Sequence, residues 1–357
     1  LAKNGRRDDR KIPREEVPLL HLTRRALALS AAALVAGALA LPAAAQDVRS
    51  YVLTTATTGG TYYPVGVAVS TLIKVKLQNA KQIDMAAISS AGSTENVKLM
   101  RENQAQFGII QGLVAQFAAD GEGPFASEGK QEHMRGITPL WFNYEQFVVD
   151  KSLVESGRIS DLKNLQGKKF SVGARGSGLE TMHRWIFPNL GFPYDSFDVV
   201  YQGYGPSGES LQNGAIQGTN FEAGLPTGAL TQAMASAGNR LAFLEFTDED
   251  IAKANGKTSL LTATIIPANT YPNQPNDVRT ARLPNFLAVN ASVPEDDVYE
   301  VTKAIFENLP FLNNIHAATR EIDIANAIAG GAFPLHPGAV RYYEEKGLTV
   351  PDSLISK

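Results

Sequence analysis

The chain has 357 residues, too many for one ordinary core and enough for two. It contains no cysteine, which excludes disulfides, thiolate metal sites, a cysteine nucleophile and the lipidated cysteine of a lipoprotein. Residues 1–46 hold eight Lys/Arg and four Asp/Glu; the rest keeps 25 basic and 32 acidic residues, a net of −7, which argues against nucleic acid or an anionic membrane as partner.

Taken in chain order, the first feature is the apolar run ALALSAAALVAGALAL at 26–41, preceded by Arg24-Arg25 and followed by PAAAQ. A basic flank, a short apolar stretch and an A-x-A ending predict a secretory signal over 1–45, with residues 1–20 as an upstream extension and ordinary secretion favoured over a twin-arginine route. The run is shorter than the roughly 20 residues of a spanning helix, so a soluble, exported mature protein is expected.

Strand and helix patterns then alternate. Residues 48–55 read as a strand, 62–77 as a helix with Val65, Val69, Leu72, Ile73 and Leu77 on one face, 83–88 as a strand, 94–101 as a helix and 107–111 as a buried strand. A second block restarts the rhythm with a short helix capped at 160–162, a strand at 169–173, a helix at 178–190 and strands at 199–202, 215–220 and 241–245. Two extended segments, 140–150 and 283–290, read as crossings between lobes. Asp248-Glu249-Asp250 and Glu295-Asp296-Asp297 read as helix starts, where acids suit the dipole. Helices at 296–308, 314–320, 322–329 and 338–346 close the chain. The β-α-β rhythm implies α/β lobes with mostly parallel sheets flanked by helices.

Three strand-to-helix loops share one grammar: Thr58-Gly59-Gly60-Thr61, Ser89-Ser90-Ala91-Gly92-Ser93 and Gly173-Ala174-Arg175-Gly176-Ser177-Gly178. Ligands of open α/β sheets sit beyond the carboxyl ends of the strands. Helix starts there offer N–H groups and partial positive charge, glycine lets a ligand approach the backbone, and hydroxyls add donors. Each loop alone is a well-capped turn; three together predict an anion cradle between lobes, with Tyr62 and Tyr63 adding ring packing and a phenol donor.

Other motifs point nowhere. Gly203-Tyr204-Gly205-Pro206-Ser207-Gly208 spells G-x-G-x-x-G, but Pro206 removes an N–H from the phosphate turn and the helix expected at 207–213 is short. No G-x-S-x-G elbow occurs, and the histidines lack metal-ligand spacing. No catalytic residue, metal or cofactor is expected.

TTGGTYYPVG, SSAGSTEN, QFGIIQ, DLKNLQGKKFSVGARGSG, FEAGLPTGAL, VYEVTKAIFENL and PLHPGAVRYYEEKG, in this order over residues 48–347, resemble the TAXI-type solute receptors of TRAP transporters. The resemblance implies a two-lobed type II periplasmic binding protein fold, with lobe 1 from 46–145 and 280–357 and lobe 2 from 146–279. It implies a monomeric, non-enzymatic periplasmic receptor that captures a small organic anion, an amino acid such as glutamate or a dicarboxylate, and delivers it to a sodium-coupled TRAP membrane permease. It places the ligand on Thr58, Gly59, Gly60, Tyr62, Tyr63, Ser90, Gly92, Ser93, Asn96, Gln111, Gly176, Ser177, Gly178, Gly224 and Pro226. Two departures stand out: Gln217 where many relatives carry an acid, and Arg175 where many carry a small residue. If Arg175 faces the cleft, a more anionic ligand follows, since guanidinium grips carboxylates. Two other functions fit the same cleft: a periplasmic sensor presenting its closed form to a signalling partner, and an exported enzyme.

Overall fold

The structure, a computed structural model, describes residues 47–329 and 331–355. The expected signal segment lies outside the described residues.

The first block folds as its periodicity dictates. β1 (Arg49–Thr54) leads to α1 (Tyr62–Lys81), whose buried face holds Val65, Val69, Leu72, Ile73 and Leu77; it stops at Gln82, which takes a left-handed conformation. β2 (Ile83–Ile88), α2 (Ser93–Arg101) and β3 (Phe107–Gln111) follow, and β1 pairs in parallel with both β2 and β3. The sequence reading missed α3 (Gly112–Asp120), whose apolar residues give no clear helical stripe. Its start is fixed by the Gln111 side chain, which accepts the Val114 N–H at 3.2 Å.

β4 (Met134–Tyr144) and β5 (Phe147–Asp150) form one extended passage interrupted at Glu145-Gln146, where the chain changes sheet. The second block comprises β6 (Lys169–Ser171), α4 (Gly178–Asn189), β7 (Asp198–Val200), α5 (Tyr204–Asn213), β8 (Gly218–Asn220), α6 (Gly228–Ala237), β9 (Leu241–Phe243) and α7 (Asp248–Asn255). α5 starts at Tyr204 rather than 207, because Pro206 sits in the first turn, where its missing N–H costs nothing. α7 carries a full capping box between Thr247 and Asp250.

β10 (Thr262–Ile266) and the long β11 (Val278–Asn290) return the chain. One end of β11 pairs with β10 and the other with β3 and β4. α8 (Glu295–Phe306), α9 (Leu309–Ile315) and α10 (Pro337–Glu345) complete the chain. The helices expected at 314–320 and 322–329 are instead short 3-10 turns, because His316 and Asp323 accept the N–H groups two residues ahead and break the run.

Two sheets result, ordered β10-β11-β3-β1-β2 (with β4 beside β11) and β7-β6-β8-β5-β9. Each holds a parallel trio, β2-β1-β3 or β7-β6-β8, flanked by an antiparallel crossing strand, β11 or β5. The antiparallel members are what the parallel expectation omitted. They arise because a strand arriving from the other lobe needs no helical crossover. The carboxyl ends of both trios therefore face the space between the sheets, where the strand-to-helix loops lie.

The second sheet packs on an aromatic core in which His183, fully buried, has ring centroids 4.8 Å from Phe187, 5.6 Å from Phe170 and 5.7 Å from Phe147. Its Nδ1 lies 3.2 Å from the Val172 carbonyl, and burial pushes its pKa down to about 3. The unfolded chain, with an ordinary histidine, takes up a proton below pH 6.5 while the native state does not. Stability is thus lost as pH falls from 6.5 towards 3, by about 2 kcal/mol at pH 5 from this residue. His183→Phe is expected to flatten that acid limb in urea melts at pH 5 and pH 7; an unchanged pH slope would show that His183 is not neutral in the fold.

Candidate functional site

The cavity between the two sheets encloses ≈ 470 Å³ of space, its open mouth included. Its wall is made largely of helix starts. Thr61 and Tyr62 begin α1, Gly92 and Ser93 begin α2, Ser177 and Gly178 begin α4, and Gly203 and Tyr204 begin α5. Only α4 is capped by the side chain of its own N-cap residue, Ser177 Oγ accepting the Glu180 N–H at 3.0 Å; α1, α2 and α5 are not, although the Tyr204 N–H of α5 donates to Thr57 Oγ1 at 3.4 Å. The Thr61 hydroxyl is spent elsewhere, donating to the Gly224 carbonyl at 3.1 Å. First-turn N–H groups left without side-chain caps and the positive ends of four helices thus converge on one space.

The two lobes touch on both sides of it. The Glu95 N–H donates to the Gly176 carbonyl at 2.9 Å, the Thr94 and Thr181 hydroxyls meet at 2.9 Å, and the Ala229 N–H donates to the Gly59 carbonyl at 3.0 Å. This is a closed arrangement, and glycine permits it. A Cβ on Gly60 would stand 2.6 Å from Cδ2 of Tyr204, and that ring is pinned by its hydroxyl, which donates to the Glu222 carbonyl at 2.6 Å. A Cβ on Gly178 would stand 3.1 Å from Ser93 Oγ.

The floor is a buried polar network. Glu222, 4% exposed, accepts from Gln111 Nε2 at 2.8 Å on each oxygen and from Asn143 Nδ2 at 3.1 Å on Oε1. Asn143 Oδ1 accepts in turn from Asn285 Nδ2 at 2.8 Å, and the Tyr62 hydroxyl donates to Asn285 Oδ1. Burial pushes the Glu222 carboxyl up to about 7, against the pull of Gln111 and Asn143 in the other direction. Glu145 lies behind it, buried, and is raised well above the carboxylate range by burial and then by Glu222. Burial and the Glu222 charge also raise the Tyr62 and Tyr204 phenols. Among the described residues no Lys, Arg or His lines the cavity.

Among the residues the sequence singled out, Gly60, Tyr62, Gly92, Ser93, Gln111, Ser177 and Gly178 meet at this cavity. Thr58 and Gly59 line a neighbouring hollow with Gly205 and Gly228. Tyr63 is half-buried on α1 and outside the cavity wall. Asn96 is fully buried and donates to the Thr55 and Ile109 carbonyls at 2.6 and 2.9 Å; with Ser90, 2.6 Å from its Oδ1, it braces the loop rather than facing the space. Gly176 contributes its carbonyl to the lobe contact. Gly224 is packed against Ala318 and Trp141, and Pro226 is exposed after a cis bond; neither lines the cavity. Arg175 is exposed, with its guanidinium 3.6 Å from the centroid of the Tyr201 ring. The strongly anionic ligand its presence suggested loses that support.

The sequence reading missed Glu222, Asn143 and Tyr204. Glu222 carried a signal, an acid inside the apolar string FEAGL directly after a strand. Tyr204 was hidden in the G-x-G-x-x-G string, which forms a helix start on the cavity wall.

The two-lobed α/β fold is of the type II periplasmic binding protein kind. The chain belongs to the NMT1-like family, whose model matches residues 53–347. Among solved structures it is similar to one described as a periplasmic transporter, at 13% identity over 85% of this chain and 96% of that one, with a TM-score of 0.51. It is also similar to the periplasmic aliphatic sulphonate binding protein SsuA from Escherichia coli (8% identity, 83% of each chain, TM-score 0.41). A third is the GluR0 ligand-binding core from Nostoc punctiforme in complex with L-glutamate (12% identity, 75% of this chain and 98% of that one, TM-score 0.43). These likenesses concern the fold. No helix among the described residues is long and apolar enough to cross a membrane, and no cluster of metal-ligating side chains occurs among them.

Gly60→Ala tests the closed geometry. The added methyl leaves each lobe intact but meets the pinned Tyr204 ring, so ligand affinity is expected to fall at least tenfold, about 1.4 kcal/mol, with the ligand-free melting temperature unchanged. Calorimetry showing wild-type affinity would mean that the lobes do not close at Gly60.

Proposed function

We propose that this chain is the solute receptor of a TAXI-type TRAP transporter. It is exported to the periplasm by the segment at 1–45, works as a monomer, and closes lobe 1 (46–145 and 280–357) onto lobe 2 (146–279) around a small organic anion, which it hands to a sodium-coupled permease. One observation carries this reading: four helix starts, three of them without a cap from their own N-cap residue, surround one cavity that no basic side chain lines among the described residues. An anionic group is the ligand part that such a wall recognises. Gly60, Gly92, Ser93, Ser177 and Gly178 are its contacts from both lobes, Ser93 and Ser177 adding hydroxyls to the backbone donors.

The cleft supports binding without turnover. Its hydroxyls are engaged in holding the loops: Ser93 Oγ accepts the Gln111 N–H at 2.9 Å and Ser177 Oγ caps α4. Among the described residues no histidine joins them on the cavity wall as a base. Hydrogen bonds to a charged group contribute roughly 1.5–3 kcal/mol each, so three or four reach the ~8 kcal/mol of a micromolar complex.

The test is mass spectrometry of the small molecule that copurifies with the receptor, followed by melting curves with amino acids and organic acids. A carboxylate-bearing metabolite is expected, released unaltered and stabilising the stripped protein by about 2.7 kcal/mol at a hundredfold excess over Kd. Chemical conversion of that molecule, or the absence of any stabilising acid, would refute the receptor reading.

A further inference from the structure

We propose that Glu222 sets the ligand's chemical class: the molecule held in the cleft carries a protonated amine against the Glu222 carboxylate as well as an anionic group on the helix starts, so the receptor selects an amino acid over the analogue lacking only the amino group. This rests on the cleft being the solute site.

The direction of the floor network carries the argument. Gln111 Oε1 is committed to the Val114 N–H, which turns Nε2 towards Glu222. At the other end, Asn285 Nδ2 donates to the Trp141 carbonyl at 3.0 Å and to Asn143 Oδ1, which turns Asn143 Nδ2 towards Glu222 as well. Backbone groups thus fix both amides as donors, and the site they leave between them suits an acceptor-only carboxylate. Oε1 accepts from both amides and Oε2 from Gln111 Nε2 alone, so Oε2 keeps a lone pair for a further donor.

The charge is not compensated from within. Among the titratable groups around Glu222, Glu145 is acidic, Tyr62 and Tyr204 are phenols held neutral by burial and by Glu222 itself, and no described residue puts a cation on the cavity wall. A buried anion held by two amides and no counter-charge is costly unless a cation arrives. A second carboxylate from a dicarboxylic ligand would face it with like charge. An ammonium supplies both the missing charge and the missing donor. Because burial raises the carboxyl of Glu222 into the neutral range, the arriving ammonium displaces a proton there, and binding near pH 7 releases it.

The experiment uses the ligand-stripped receptor with each standard L-amino acid in melting curves. Calorimetry then compares the best binder with its analogue bearing hydrogen in place of the amino group. The amino acid should bind at least tenfold more tightly than its deaminated analogue. Two buffers of different ionisation heat should report proton release at pH 7. E222Q should shrink the preference to a few-fold and abolish the release. Equal binding of the analogue, or proton uptake, overturns the inference even if E222Q does not fold. If nitrogen-free organic acids stabilise the protein and no amino acid does, the receptor reading stands and the role of Glu222 falls. If neither class stabilises it, both fall.

Discussion

A carboxylate buried where two lobes meet constrains everything around it. Glu222 follows β8 of the second sheet, yet its partners are Gln111 at the end of β3 and Asn143 on the crossing strand β4. Its charge is tolerable only while both remain in place, so the floor of the cleft couples the lobes where the chain crosses between them. Gln111 has a second duty, capping α3, and Asn285 on β11 orients Asn143. The residues that hold the site together are therefore the same ones that hold the lobes in register.

Above that floor the logic changes from side chains to backbone. Glycines at 60, 92 and 178 let helix starts from opposite lobes come together with no Cβ between them; around the cleft the lobes meet through hydrogen bonds to main-chain carbonyls, and farther out through the Phe117 and Trp185 rings, 5.5 Å apart. Such contacts are few and modest, roughly 0.5–1.5 kcal/mol each net, so they suit a closure that a ligand completes and that can be undone. A binding protein that must release its cargo needs open and closed states within a few kcal/mol of one another. A wall of main-chain donors around a nearly rigid floor meets that need.

Much of this was legible in the sequence because it depends on local pattern. The two β-α-β blocks, the long buried face of α1 and the three glycine-bearing loops are properties of contiguous residues; the blocks and the buried face stand as read, while of the loops Gly60, Gly92, Ser93, Ser177 and Gly178 reach the cavity and Thr58 and Gly59 a neighbouring hollow. The residues read wrongly fail for identifiable reasons. Asn96 looks like a ligand donor in SSAGSTEN, but its amide fits carbonyls of β3 and the end of β1, partners 13 and 41 residues away. Arg175 looked like a carboxylate clamp until Tyr201, on the strand side of the next loop, offered its ring. Glu222, Asn143 and Gln111 become one site only through pairing across 79 and 111 residues, which no local period encodes. α3 escaped notice because an apolar helix buried on several sides shows little stripe, and α6 because small residues such as Ala229, Ala233 and Ala235 stand on both its buried and its exposed faces.

Closure is the claim on which the account turns, and the absence of native cysteine makes it directly measurable. Lys98 on α2 and Arg184 on α4 are exposed and sit on helices from opposite lobes. With spin labels at Lys98→Cys and Arg184→Cys, pulsed electron–electron distance measurement on the ligand-stripped protein should give a long or broad distribution. That distribution should collapse to a single shorter distance when the copurifying ligand is restored. One unchanged distance in both states would mean that the lobes are fixed, and that the cleft is not a trap.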